Sequence, residues 1–274
     1  MSDDRTFWHP AFYDAIKIEL LEFQDALDFQ EEKQLTTGSL QMDLLIIKKA
    51  PGVEITKSIG RIFRTNNIVE YKSPDDYFSV SDYHKTLAYV LVYLYLNNAD
   101  IKDITLTVVL SRESESLRHY YEQDRGLQVK QAYPGISYVT GEIVPVQVIN
   151  RRDLTDETLW LQKLGNDLRI EDFEKVAQAR IDLPDRRRAM TYFMALINAN
   201  SDMIREGRAM DVKQIQELCL EIATEAGLLA ARVEEGKLEK QHEIARSLLD
   251  VLDVETIALK TGLSVAEVEK LKLS

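Results

Sequence analysis

The chain has 274 residues but one cysteine, Cys219, and four histidines. A single cysteine excludes an internal disulfide, so a reducing compartment, the cytoplasm, is the expected location. His9, His84, His119 and His242 lack paired ligand spacing, which argues against a zinc site. Long apolar runs are missing too. The longest, Leu87 to Leu96, is too short to span a bilayer and reads as a buried helix. Met1-Ser2-Asp3-Asp4 is acidic with no apolar run behind it, unlike a secretory signal. A soluble protein with no membrane partner is expected. Repeats and low-complexity tracts are absent, as are a P-loop, a dinucleotide glycine pattern and a Ser-His-Asp arrangement. An excess of positive charge is absent as well: 34 Lys and Arg face 46 Asp and Glu, a net charge of -12. This argues against nucleic-acid binding by bulk charge but leaves room for a local basic groove.

What is present is an ordinary globular composition, 45% hydrophobic and 29% charged. Phe12, Ala15, Ile16, Leu20 and Phe23 recur at helical spacing, predicting a helix from Ala11 that ends near Leu21 or runs to Leu27. Asp25–Leu35 reads as a first strand, Leu40–Lys48 as a second and Asn67–Lys72 as a third, with breaks at Thr37-Gly38-Ser39, Pro51-Gly52 and Ser73-Pro74. A helix over Ser81–Asn97 follows, capped by Ser81 or Asp82. Ile104–Leu110 is rich in β-branched residues and reads as a fourth strand, and Gly135–Ile149 offers two short ones. From Asp153 onward the pattern is nearly all helical, broken at Leu183-Pro184-Asp185. Three regions result: 1–152 with the strands, 153–235 helical, and 236–274 a helical tail.

Charged residues inside apolar strands are costly to bury unless paired or bound to a metal. Asp43 opens the run Asp43-Leu44-Leu45-Ile46-Ile47, and Glu70 and Lys72 stand two apart on the third strand. Strand period two puts Glu70 and Lys72 on one face, and pairing of the second and third strands would let Asp43 approach Glu70. Converging carboxylates offer oxygen ligands to Mg²⁺ or Mn²⁺. The ion would activate water and neutralise charge on a phosphate, with Lys72 holding the water or the developing charge. A solvent-facing pair on an edge strand explains Glu-x-Lys alone; the strand context, Asp43 and the preceding helix favour the site. Glu19 on the first helix is a further candidate metal ligand, competing with Glu22 and with a solvated helix face.

Lys85 and Tyr89 share a helix face that could overlook this site and contact a phosphate backbone, although a partly buried Tyr89 explains the spacing equally well. Lys48, Lys49, Lys57, Arg61 and Arg64 make the stretch between the strands locally basic; Lys48, Arg61 and Arg64 are the candidate phosphate contacts, with a plain solvated loop as the alternative. Arg186-Arg187-Arg188 reads as a surface helix start. Val254–Leu271 reads as a short helix-turn-helix with Ile257, Ala258 and Leu263 as its core, Gly262 at the turn and Ser264 with Glu267 as a capping box. Glu267 and Glu269 would repel phosphates, favouring packing or protein contact over DNA reading. Leu228, Leu229, Val233 and Leu238 form an apolar stripe that suits a homodimer and intramolecular packing equally.

The order helix, three strands with Asp then Glu-x-Lys, helix, strand resembles the PD-(D/E)XK nuclease superfamily. Met42–Gly52, Ser58–Asp76, Asp82–Tyr89 and the tail Glu234–Lys272 are similar to a bacterial group near the recombination-promoting nuclease and transposase-like family. The resemblance implies an α/β fold with a restriction-endonuclease-like core followed by a helical C-terminal region. It implies a Mg²⁺- or Mn²⁺-dependent DNA endonuclease, linked to recombination, transposition or mobile-element defence. Asp43, Glu70 and Lys72 take the catalytic roles, Asp43, Glu70 and Glu19 the metal. Lys85 and Tyr89 sit where one branch has Gln-x-x-x-Tyr, with Lys replacing Gln. A catalytically weak, nuclease-like binding or regulatory module is the alternative.

Overall fold

A computed structural model describes residues 5–31, 45–200, 220, 224, 254–261 and 263–273. The chain divides into two compact units, Met1–Val212 and Lys213–Ser274. The expected helical region 153–235 spans that division.

The first unit is α/β, built on a seven-stranded mixed sheet in the order β1-β2-β3-β4-β7-β6-β5. The strands are β1 (Leu27–Gln30), β2 (Leu45–Lys49), β3 (Asn66–Tyr71), β4 (Ile104–Leu110), β5 (Gln128–Tyr133), β6 (Ile136–Thr140) and β7 (Val146–Asn150). β1, β2 and β3 pair antiparallel, β3, β4 and β7 parallel, and β7, β6 and β5 antiparallel again. The parallel β3–β4 step requires a crossover, and helix α2 (Val80–Asn97) supplies it. β4 lies between two parallel neighbours and buries every residue, which is why it reads as a continuous apolar run. β5 was not expected. Its sequence Gln-Val-Lys-Gln-Ala-Tyr is mostly polar because it forms the outer edge, with an irregularity between Gln131 and Tyr133.

Helix α1 (Arg5–Glu19) covers one face of the sheet. Phe12, Ala15, Ile16 and Leu20 are buried as their spacing predicts, and the Phe12 ring stacks on Tyr71 of β3 with centroids 4.5 Å apart. Helix α2 covers the other face. Leu87, Val90 and Tyr93 enter a core with Ile46, Ile68, Leu106, Val108, Val146 and Val148. The expected buried helix over Leu87–Leu96 is only partly so: Tyr95 is 83% exposed and Leu91 50%. The α2 cap is Ser79, not Ser81 or Asp82. The Ser79 hydroxyl accepts from the Asp82 amide, and the Asp82 carboxylate accepts from the Ser79 amide. Short helices α3 (Glu115–His119) and α4 (Leu159–Gln162) lead to α5 (Ile170–Ile181) and α6 (Met190–Ala199); α1 packs against α4 and α6. The break at Leu183-Pro184-Asp185 falls between α5 and the helical turn at Arg186–Ala189, as expected.

In the second unit, α7 (Val254–Thr261) and α8 (Val265–Leu273) form the helix pair read from the tail. Ile257, Ala258, Leu263 and Val268 are its core. Ser264 and Glu267 make the capping box: the Ser264 amide and hydroxyl donate to the Glu267 carboxylate, and the Ser264 hydroxyl accepts from the Glu267 amide. Leu228, Leu229, Val233, Leu238, Gly262 and Cys219 lie outside the described residues. Among the described residues no helix is long and apolar enough to cross a membrane.

Candidate functional site

Glu70 and Lys72 leave the carboxyl end of β3 on the α2 side. Strand alternation puts them on the side of Ile68, which faces α2, while Tyr71 points the other way against Phe12 and His9. The Lys72 amide donates to the Val109 carbonyl, extending the ladder past the strand end and fixing the backbone beneath the side chain. The Lys72 ammonium lies 3.6 Å from Glu70 Oε1 and 3.5 Å from Asp82 Oδ1, with the Phe78 ring 5.8 Å away. Glu70, Lys72 and Asp82 are all partly exposed, at 16%, 22% and 31% of their side chains, so the cluster is held yet reachable from solvent.

Asp82 is the residue that sequence reasoning missed here. Read from the sequence as a helix cap, it also faces Lys72. The readable signal was Ser79-x-x-Asp82, a capping box that fixes the first turn of α2 and thereby aims one carboxylate oxygen at β3. Burial pushes the Asp82 carboxyl up, but the Ser79 hydroxyl and amide, then Lys72, outweigh it and hold it below the ordinary carboxylate range. One turn on, Lys85 is exposed, with its ammonium 5.5 Å from the centre of the buried Tyr89 ring. The Tyr89 hydroxyl raises the Lys85 ammonium above its usual range against the burial penalty, and Glu70 and Asp82 add to the rise. The structure therefore brings together Glu70, Lys72, Lys85 and Tyr89, with Asp82 added.

The other expected site residues fall elsewhere. Glu19 lies on the α1 side and is occupied: Lys57 Nζ is 2.5 Å from Oε2, and the amides of Trp160 and Leu161 donate to Oε1 at 2.7 and 3.3 Å. It ties the first turn of α4 to α1. Burial raises its carboxyl above the ordinary range despite these partners. Lys48 pairs in register with Asn66, four residues from Glu70 and so roughly 13 Å down the strand. Arg64 donates to the Lys102 carbonyl before β4, and Arg61 donates to the Thr56 carbonyl and lies 5.9 Å from the Tyr133 ring centre. Lys48 and Arg64 thus belong to the amino end of β3 and Glu70 to its carboxyl end. Asp43 lies outside the described residues, two positions before Leu45, whose partner in β3 is Val69.

Glu70 and Asp82 are hard oxygen donors flanking one ammonium, a donor set that suits Mg²⁺, which is commonly held by one or two carboxylates with water and phosphate completing the shell. Among the described residues no three His, Cys, Asp or Glu side chains converge as a ready-made ion cage. No family model, no curated protein and no solved structure matches this chain.

Proposed function

We propose that the chain is a metal-dependent DNA endonuclease that hydrolyses phosphodiester bonds, with a restriction-endonuclease-like core. The observation that supports this most is the Lys72 ammonium beside Glu70 at the carboxyl end of a central strand, in a cluster that solvent can reach. Crevices outside the carboxyl ends of parallel strands are where α/β sheets take ligands. In this reading Glu70 orients the attacking water, and Lys72 stabilises the charge that builds on the phosphorane oxygens. Lys85 holds a neighbouring phosphate of the substrate. A bound Mg²⁺ would supply a more acidic water and a Lewis acid at the phosphate. Asp43 is the second carboxylate of the reading.

The test is plasmid cleavage with Mg²⁺ or Mn²⁺ beside Glu70→Ala and Lys72→Ala. Metal-dependent nicking by the wild type alone is expected; no cleavage on supercoiled, linear, single-stranded or branched DNA would reject the reading. A nuclease-like binding module is the second reading. It is favoured by Asp82, which shares the Lys72 ammonium with Glu70, and by the net charge of -12. Under it, Asp43→Ala would change neither partner binding nor phenotype.

A further inference from the structure

The α1 side of the sheet carries a separate pocket of ≈ 350 Å³, lined by Asp14, Lys17, Gln24, Phe29 and Arg188. Its size falls at the lower end of small-molecule sites. Five side chains from α1, the turn at Leu21–Ala26, β1 and the turn before α6 meet there. Arg188 is exposed; its guanidinium donates to the Gln24 amide oxygen at 2.9 Å, and the nearby Asp185 carboxylate feels its charge. The Lys17 ammonium pairs with Glu31 at the rim. Asp14 sits at the amino end of α6, accepting from the Tyr192 amide at 3.2 Å. Phe29 supplies the aromatic wall. The pocket therefore combines an exposed guanidinium with donors beyond its Gln24 bond, a second cation and an apolar surface.

We infer that this pocket binds a small organic anion, with its carboxylate or phosphate on Arg188 and Lys17 and its apolar body against Phe29. Asp14 sets the pH at which the anion is admitted. The groups facing it are Lys17 on its own helix, Thr191 and Tyr192 of α6, and Arg188 across the pocket; Glu31 and Asp185 face the two cations in turn. Burial pushes the Asp14 carboxyl up to about 6 against the Tyr192 and Thr191 hydrogen bonds and the Lys17 charge. Below that pH Asp14 is neutral and the lining carries its two positive charges uncompensated by Asp14. Above it, Asp14 repels an incoming anion.

The test is calorimetric titration of the full chain with benzoate, phenyl phosphate, inorganic phosphate and benzyl alcohol at pH 5.5 and 7.5. Benzoate and phenyl phosphate should bind, benzyl alcohol should not, and inorganic phosphate should bind more weakly because it leaves Phe29 uncovered. The tighter of the two aromatic anions identifies the head group as carboxylate or phosphate. Benzoate should bind on the order of tenfold tighter at the lower pH. Asp14→Asn, which keeps the acceptor for Tyr192, should bring the pH 7.5 affinity to the pH 5.5 value. Arg188→Gln, at an exposed position, should weaken benzoate at least tenfold, and Lys17→Gln by less. Equal binding of benzyl alcohol, an unchanged affinity in Arg188→Gln, or no heat with any anion would overturn the inference.

Discussion

The two faces of the sheet handle charge in opposite ways. On the α1 face, buried polar side chains bond into the scaffold. Asn67 bonds to Thr105, to the Ile47 carbonyl and to both the amide and carbonyl of Arg64, and Gln147 donates to Thr107 and to the Ile59 carbonyl. Glu19 is closed off by Lys57 and two amides. On the α2 face the core is apolar up to the strand ends, and there Glu70, Lys72, Asp82 and Lys85 stand half open. A buried, fully partnered carboxylate has no capacity left for a substrate and serves the scaffold. A partly exposed one beside an ammonium can be reached by a substrate from solvent. Glu19 and Glu70 both stand near an apolar element in the sequence; only the partners around them separate their roles.

Activity and stability should therefore part company between these two glutamates. Glu70→Ala and Lys72→Ala should each reduce plasmid cleavage at least about a hundredfold, the scale of losing a group that acts in the transition state. Their urea midpoints should stay near the wild type, because both side chains reach water. Glu19→Ala should do the reverse in stability. It strands Lys57 and leaves the Trp160 and Leu161 amides without their acceptor, at a cost of about 3 kcal/mol. Urea unfolding followed by circular dichroism checks this. A Glu19→Ala protein as stable as wild type would erase the contrast between the faces.

How much of this was readable beforehand follows from where each signal is stored. β4 and the buried residues of α1 were legible because burial on both faces, or on one stripe, writes itself as periodicity. The capping box at Ser264 and the helix pair around it were legible because capping is local chemistry. β5 was not, because an edge strand with polar residues on its open side loses its pattern. Glu70 and Lys72 as neighbours followed from strand period two. The separation of Lys48 and Arg64 from Glu70 did not, because both ends of β3 are equally close in sequence and differ only in strand direction. Glu19 misled for a related reason: its partner Trp160 is 141 residues away. No local pattern announces an amide from a helix in another part of the chain.

The α1 face also carries a carboxylate that costs stability. The Asp14 carboxyl titrates at about 6 in the fold against an ordinary value of 3.8. A raised acid means that the unfolded chain releases its proton first, so stability is greatest below about pH 4 and falls as pH rises to about 6. The shift corresponds to at most about 3 kcal/mol, and about 1 to 2 kcal/mol after screening by the solvent that reaches the pocket. Asp14→Asn should raise the urea midpoint at pH 7.5 and leave it unchanged at pH 4. Destabilisation at both values would mean that the Tyr192 hydrogen bond needs the charge, and Asp14 would then belong with Glu19 as a structural acid.

Asp82 draws the finest line, because it does scaffold work on the open face. Asp82→Ala removes half of the Ser79 capping box and should cost about 1 kcal/mol, a helix-cap effect. Asp82→Asn keeps an oxygen for the Ser79 amide and should cost less. The acid limb separates cap from charge. The carboxyl is held below its ordinary value, so its charge contributes fully above about pH 4 and is lost as pH falls through the lowered value. The stability gap between wild type and Asp82→Asn should therefore close on acidification, while the gap between Asp82→Asn and Asp82→Ala persists. If Asp82→Asn also cleaves plasmid at the wild-type rate, Asp82 only anchors α2. If cleavage falls while the fold holds, Asp82 positions Lys72 for the reaction, and the open face uses a helix cap as part of its chemistry.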